Sequence, residues 1–276
     1  MTGTAESHAR VTRWVSARGI SLEVRGTGDP VLLLHGIGGS ATACGPLAEV
    51  LSARGYRTYC WDAPGYGRSA DPAPSADGPA ERYDHAAAVA ELITELGSEP
   101  IHLIGTSWGG VIATAVAIAN PASVRSLVLA DSTRGSGVNT DRARGMRARI
   151  GELRELGGPA FAAARARRLV SPACDDEIAR AVESEMARVR LCGYTAAAEF
   201  MARTDTGPSL AGVAAPTLVL VGADDIVTGV DESRLLADAI PGARFGLILG
   251  AGHAAIQEKP AETAAHILRL WKELDR

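Results

Sequence analysis

Only two lysines, Lys259 and Lys272, occur in the 276 residues, so neither a Tyr-x-x-x-Lys proton relay nor a lysine-centred site in the middle of the chain can be built. Cysteine is nearly as sparse. Cys44, Cys60, Cys174 and Cys192 lie far apart with no C-x-x-C spacing, which argues against a zinc site or disulfide framework and for scattered reduced thiols. No apolar run approaches the roughly 20 residues of a membrane helix. The opening "MTGTAESHARVTR" is polar where a secretory leader would be apolar, so a cytoplasmic location is expected. A net charge of −4 offers no basic footprint for nucleic acid. The expected partner is a small-molecule substrate, with no cofactor, metal or membrane; the oligomeric state stays open, a homodimer being one option. What the chain does have is apolar residues, 46% of the total, enough to fill one large α/β domain or two small ones.

Short β-branched or Leu-rich runs bounded by Gly, Pro or Asp recur at "VTRWVSA", "SLEVRG", "VLLLHG", "YRTYCWD", "IHLIGTS", "VRSLVLADS", "TLVLVG" and "RFGLILG", and they predict eight strands. From the third onward they alternate with helical stretches such as "DHAAAVAELITELG", the pattern of a mostly parallel sheet covered by helices on both faces. The first two have no helix between them and are expected to pair as an antiparallel hairpin at one edge. The alternation breaks between residues 132 and 207, where a helical pattern carries 13 Arg against 10 Asp and Glu, while the other 200 residues carry 15 basic and 22 acidic side chains. The expected organisation is a core of residues 1–131 and 208–276 with a helical cap, 132–207, inserted after strand six. The cap's charge reads either as a solvated face or as a lid that attracts an anionic substrate. "ADPAPSADGPAE", at 70–81, reads as a surface loop.

"IHLIGTSWGG" places Ser107 between Gly105 and Gly109, after a predicted strand and before a predicted helix. Glycines there permit the cramped turn of a nucleophile elbow, which lifts the hydroxyl above the sheet. A helix N-cap would account for the serine but not for both glycines. A serine nucleophile needs an imidazole as base and a carboxylate to orient it. Of the six histidines, His8 lies in the polar tail, His85 opens a helix, His102 sits within a strand, His266 lies within a helix, and His35 directly precedes Gly36. His253, in "LGAGHAAIQEKP", leaves the last strand on a Gly-flexed loop at the edge that carries Ser107. "GADD" after strand seven supplies the acid: Asp225 is preferred, Asp224 is its rival and Asp131, ending strand six, a more distant one. Both residues of the pair are also placed simply to cap the following turn. "HGIGGSA" reads too as G-x-G-x-x-A with Asp62 downstream, like a dinucleotide fingerprint. Two strands precede it where such a fold begins, however, and Pro64 follows Asp62 closely.

Together and in order, "HGIGG", "DAPGYGRS", "GTSWGG", "GADD" and "GAGH" make the chain resemble the α/β-hydrolase superfamily over nearly its whole length. The resemblance implies an α/β-hydrolase fold, a Ser107–His253–Asp225 triad, and an oxyanion hole made by the backbone N–H groups of Ile37 and Trp108. A serine nucleophile argues against haloalkane dehalogenases and epoxide hydrolases, which use aspartate. The lack of lysine in the insert argues against hydroxynitrile lyases. The chain looks most like the 3-oxoadipate enol-lactonases and neighbouring small-ester hydrolases, on "LVLADS", "VRLCGYTAAAEFMARTD" and "PTLVLVGADDIVT". It departs from them at Thr106 and Trp108, where that group often has His and Met; Trp108 either shapes the helix start or narrows the acyl pocket. The expected function is hydrolysis of a small ester or lactone through an acyl-enzyme, with Arg134, Arg188 and Arg190 as candidates to pair with a substrate carboxylate. The acylation rate is expected to follow His253 titrating near its ordinary range. Hydrolases of carbon–carbon bonds in ring-fission products use the same three residues and rank second, their third-strand loop reading more like "HGSGPGA". Cofactor-free haloperoxidases and proline iminopeptidases follow, and a non-catalytic ligand-binding protein on the same fold is the reading from another class.

Overall fold

The computed structural model describes residues 11–72, 82–98 and 100–276; the polar N-terminal segment with His8, and most of the predicted 70–81 loop, lie outside them. The eight predicted strands form as β1 (Thr12–Val15), β2 (Ser21–Arg25), β3 (Asp29–Leu34), β4 (Tyr56–Trp61), β5 (Ile101–Thr106), β6 (Val124–Ala130), β7 (Thr217–Gly222) and β8 (Arg244–Ile248). They join in one sheet in the order β1-β2-β4-β3-β5-β6-β7-β8. β1 pairs antiparallel with β2 at one edge and β2 antiparallel with β4, while the pairings from β4 across to β8 are parallel. This is the strand order and direction that the α/β-hydrolase resemblance implies.

Helices α1 (Ala41–Ser52), α2 (His85–Leu96) and α3 (Trp108–Ala119) fill the connections up to β6. Next, α4 (Thr140–Arg165), α5 (Asp176–Met186) and α6 (Leu191–Arg203) form the insert between β6 and β7. The chain closes with α7 (Gly229–Ala239), the short α8 (Ala255–Glu258) and α9 (Pro260–Leu274). The central strands are apolar at nearly every position because helices cover both faces. In β3, Val31 and Leu33 pack toward α1, α8 and α9. Leu32 and Leu34 point the other way, toward α2 and α3, as the two-residue period of the pleat requires.

The insert continues this second core: Met146 and Leu153 of α4, Met186 of α5 and Tyr194 of α6 join its apolar cluster. The long α4 is not straight. Gly157 (φ 72°, ψ 162°) breaks it, with Pro159 just beyond. On the core side, Gly65 of the "DAPGYGRS" loop meets α6 at Gly193 so closely that a Cβ on Gly65 would lie 2.3 Å from the Gly193 Cα. Because β3 and β5 through β8 run in one direction, their C-terminal ends share one edge, and the insert lies over it.

Burial shapes the titration of this core. Desolvation of the charged ring lowers His35 and His102 to about 4 and His85 to about 3. His102 is matched as a neutral ring, its Nδ1 lying 2.7 Å from the Ser126 Oγ that also accepts the Trp271 Nε1–H at 2.8 Å. These folded values lie below those of the unfolded chain, so their contribution to stability is fully present above about pH 6.5 and is lost as the pH falls toward 4, at roughly 1.4 kcal/mol per pH unit for each histidine. Denaturation midpoints should therefore fall through that window, and His102→Gln should remove one histidine's share of the slope. A pH-independent midpoint would contradict the assignment.

Candidate active site

Since β5 ends at Thr106 and α3 begins at Trp108, the turn between them is the single residue Ser107. Its backbone takes φ 52°, ψ −117°, a conformation that ordinary side chains avoid. The flanking glycines are explained by the room available. A Cβ on Gly105 would lie 2.3 Å from the Gly109 carbonyl oxygen, and one on Gly109 would lie 2.2 Å from that of Leu34. The Ser107 N–H donates to the Ala130 carbonyl at 2.9 Å, which ties the turn to β6. Ser107 stands at the N-cap position of α3, but its side chain makes no capping hydrogen bond. The hydroxyl instead lines a cavity of about 420 Å³, and His253 lines the same cavity.

His253 Nδ1 lies 3.0 Å from Asp225 Oδ2. The carboxylate is further held by the Thr228 hydroxyl at 2.6 Å and the Val227 N–H at 2.7 Å. Burial alone would raise the Asp225 pKa, but the His253 and Thr228 hydrogen bonds outweigh it and hold this carboxyl far below the ordinary range. Burial would lower His253; the Asp225 hydrogen bond and charge, with a smaller contribution from Asp131, raise it instead. With Nδ1 facing the carboxylate, Nε2 is left for the cavity side. The Ser107 hydroxyl has no hydrogen-bond partner among the described residues.

The two rival acids stand elsewhere. Asp224 is exposed to solvent. Asp131 is fully buried in a left-handed conformation (φ 49°), and its carboxylate accepts the Gly222 N–H at 2.8 Å and the Ala255 N–H at 3.3 Å. Burial and the Asp225 charge push it up to about 8, against the opposing charge of His253. Asp62, the acid of the dinucleotide-like pattern, accepts the Ala41 N–H at 2.8 Å and the Arg68 N–H at 2.9 Å, so its carboxylate is engaged by the backbone of its own loops.

Ile37 and Trp108 both line the cavity, and neither of their N–H groups donates to another described group. Two side chains hold the Ile37 loop. His35 Nε2 accepts the Ala63 N–H at 3.1 Å, which leaves the proton on Nδ1 to donate to the Gly36 carbonyl at 2.7 Å. The Tyr66 hydroxyl donates to the Ile37 carbonyl at 3.0 Å. Sequence reasoning passed over both; the position of His35 directly before the glycines was the available signal. The Trp108 ring is fully buried, with the rings of His85, Tyr66 and His35 centred 4.9, 5.6 and 5.8 Å away, so it anchors the start of α3.

The arginines expected to face substrate do not line the cavity. Arg134 forks onto Glu232 at 2.9 and 3.2 Å. Arg188 bonds the Ser184 carbonyl one turn back at 3.0 Å and pairs with Glu185, while Arg190 donates to the carbonyls of Gly65 and Ser69 at 3.0 and 2.7 Å. The cavity's guanidinium groups are those of Arg142, Arg149, Arg165 and Arg168. Arg142 pairs with Glu232 at 3.4 Å and Arg165 with Glu152. Arg149 and Arg168 have no carboxylate partner among the described residues. Arg149 lies beside the Tyr194 hydroxyl and close enough to His253 for its charge to oppose protonation of the imidazole.

Known proteins share this arrangement of elements. A family model described as alpha/beta hydrolase fold matches residues 29–260. A 2-hydroxy-6-oxononadienedioate/2-hydroxy-6-oxononatrienedioate hydrolase of Cupriavidus pinatubonensis is 31% identical over 91% of this chain and 92% of its own. The 3-oxoadipate enol-lactonase 2 of Acinetobacter baylyi is 27% identical over 74% of each. Among solved structures, a thermophilic esterase from Thermogutta terrifontis with malate bound superposes with a TM-score of 0.82 at 26% identity, covering 96% of this chain and 99% of its own.

The raised imidazole changes the expected pH profile. If neutral His253 is the base, kcat/KM rises with pH on a limb whose midpoint lies above the unperturbed value of about 6.5, rather than at it. Asp225→Asn should move that midpoint down and cut the rate by roughly 10⁴-fold. A midpoint unmoved by this substitution would detach the limb from the pair.

Proposed function

This chain belongs to the α/β-hydrolase fold family, and within it we propose that the protein is a serine hydrolase of small, carboxylate-bearing esters or lactones. The observation that carries the reading is a serine in a strained one-residue turn, lining one cavity with an imidazole whose far nitrogen is held by a charged carboxylate. Ser107 Oγ adds to the substrate carbonyl as His253 Nε2 takes its proton. The Ile37 and Trp108 N–H groups receive the developing oxyanion. The protonated imidazole then gives its proton to the leaving alkoxide or enolate. Water, deprotonated by the same nitrogen, releases the acid from the acyl-enzyme. Residues 132–207 serve as the cap, whose apolar side chains exclude bulk water from these steps.

Preference for an anion rests on the cavity's charge. Glu232 and Glu185, which also line it, are already paired with arginines, so Arg149 and Arg168 bring positive charge that a substrate carboxylate would neutralise. Two of the relatives are named for dicarboxylate-derived compounds, and the esterase structure holds malate, itself a dicarboxylate.

A second reading, hydrolysis of a carbon–carbon bond in a ring-fission dienone, is supported by the Cupriavidus relative's identity over nearly the whole chain. Side-by-side turnover of an acetate ester, an enol-lactone and such a dienone separates the two. Sustained turnover of p-nitrophenyl acetate separates both from a non-catalytic binding protein.

Ser107→Ala should lower turnover by roughly 10⁴-fold or more while leaving the fold intact; near-normal activity would remove the serine mechanism. Arg149→Met should reduce kcat/KM for a monoester of a dicarboxylic acid by about 10- to 100-fold, the value of a charge-assisted hydrogen bond, with a neutral ester changed by less than about threefold. Added salt should shrink the anion's advantage in the parent enzyme. Equal losses on both substrates would show that Arg149 does not recognise the anion.

A further inference from the structure

His253 sits on a loop whose two flanks are both held by the insert. On one side the Ala254 N–H donates to the Leu169 carbonyl at 2.7 Å. On the other, two backbone N–H groups converge on one carboxylate: Gly252 donates to Glu258 Oε1 at 2.8 Å, and Ser171, from the insert, donates to Glu258 Oε2 at 2.9 Å. Glu258 is only 8% exposed and forms no ion pair among the described residues. A buried carboxylate is tolerated when hydrogen bonds satisfy both oxygens, and these two amides do so.

The strands of chain it joins are in backbone contact. A Cβ on Gly252 would lie 2.6 Å from the Ser171 nitrogen. The insert segment involved follows directly on the end of α4, where Arg165, Arg168 and Leu169 line the cavity. From the core side, Asp131 holds the next amide, that of Ala255. The His253 loop therefore lies between a tether to β6 and a tether to the insert.

We propose that Glu258 is a positioning residue that couples His253 to the insert, so that the seating of the insert over the cavity and the approach of the imidazole to Ser107 change together. The proposal rests on the reading of Ser107 and His253 as nucleophile and base. Ser107 and His253 share the cavity without a hydrogen bond, so the position of this loop decides whether that bond forms. The carboxylate matters because both partners are donors. A glutamine would offer one oxygen to one amide and turn its own NH₂ toward the other, and an aspartate would be one methylene too short to span them.

The test uses Glu258→Gln and Glu258→Asp in the full chain, with p-nitrophenyl acetate as substrate and a fluorophosphonate as the Ser107 probe. The expected result is kcat lowered about 10- to 100-fold with KM within about threefold, as for a small misplacement of a reacting group. Labelling should slow in parallel, and amide exchange should accelerate together in 168–172 and 250–256 while the rest of the chain keeps its protection. Turnover and labelling within about twofold of the parent overturn the proposal; so does lost activity with faster exchange throughout the chain, which marks a general loss of stability. Exchange in the parent needs no variant: the two segments must open together, and protection differing by more than about tenfold overturns the coupling. A parent chain that neither turns over the ester nor is labelled at Ser107 would instead remove the hydrolase reading, and the exchange comparison would still decide the tether.

Discussion

Backbone crowding at the C-terminal ends of β3 and β5 is the constraint from which the site follows. Gly105, Gly109 and the Leu34 carbonyl approach so closely that only hydrogen fits between them. The chain must therefore reverse from strand to helix within one residue, and that residue accepts a positive φ. The same crowding sets α3 against the end of β3, and Ile37, Ser107 and Trp108 line one cavity. A looser turn would keep the serine at the sheet edge but separate it from the glycine loop. His35 and Tyr66 complete the arrangement by fixing the carbonyls on either side of the Ile37 amide.

Electrostatics then distinguishes two carboxyl groups in the same cluster of loops. Asp225 receives a backbone N–H, a hydroxyl and the imidazole, so its anion is solvated by the protein despite burial. Asp131 is more deeply buried, and its backbone donors do not offset desolvation. The two carboxyls are therefore split, Asp225 held low and Asp131 pushed up to about 8, and Asp225 supplies the larger part of the charge that raises His253. Asp131 still has a mechanical role: it ties the ends of β6 and β7 to the residue two places beyond His253.

The strands were legible in the sequence because a parallel sheet buries both faces and writes each central strand as a continuous apolar run. Ser107, Asp225 and His253 were legible for a related reason: each follows such a run, and parallel strands deliver their ends to one edge. The choice between Asp224 and Asp225 was only partly legible, since both follow the same strand end and only their burial, Asp224 exposed and Asp225 buried, tells them apart. The arginines were not legible. Which of the insert's 13 arginines lines the cavity depends on the rotational phase of α4 and on its break at Gly157, neither of which a composition of Arg, Ala and Glu specifies. Arg134 was drawn instead to Glu232 on α7, a partner 98 positions away in sequence. Glu258 was invisible for a like reason, because what it binds are backbone amides, one of them 87 positions upstream.

The insert makes the cavity by supplying both its apolar wall and its unmatched charge. Met146, Phe161, Met186 and Tyr194 line the cavity together with Ser107 and His253, and apolar surroundings strengthen every charge within it. In that setting an uncompensated guanidinium beside the imidazole has two effects. It opposes, without reversing, the rise that Asp225 gives the His253 pKa, and it loses that influence once an anion covers it. A carboxylate at Arg149 would then ease protonation of His253 as the serine proton is transferred, so recognition of the substrate's charge and activation of its attacker would be parts of one electrostatic event.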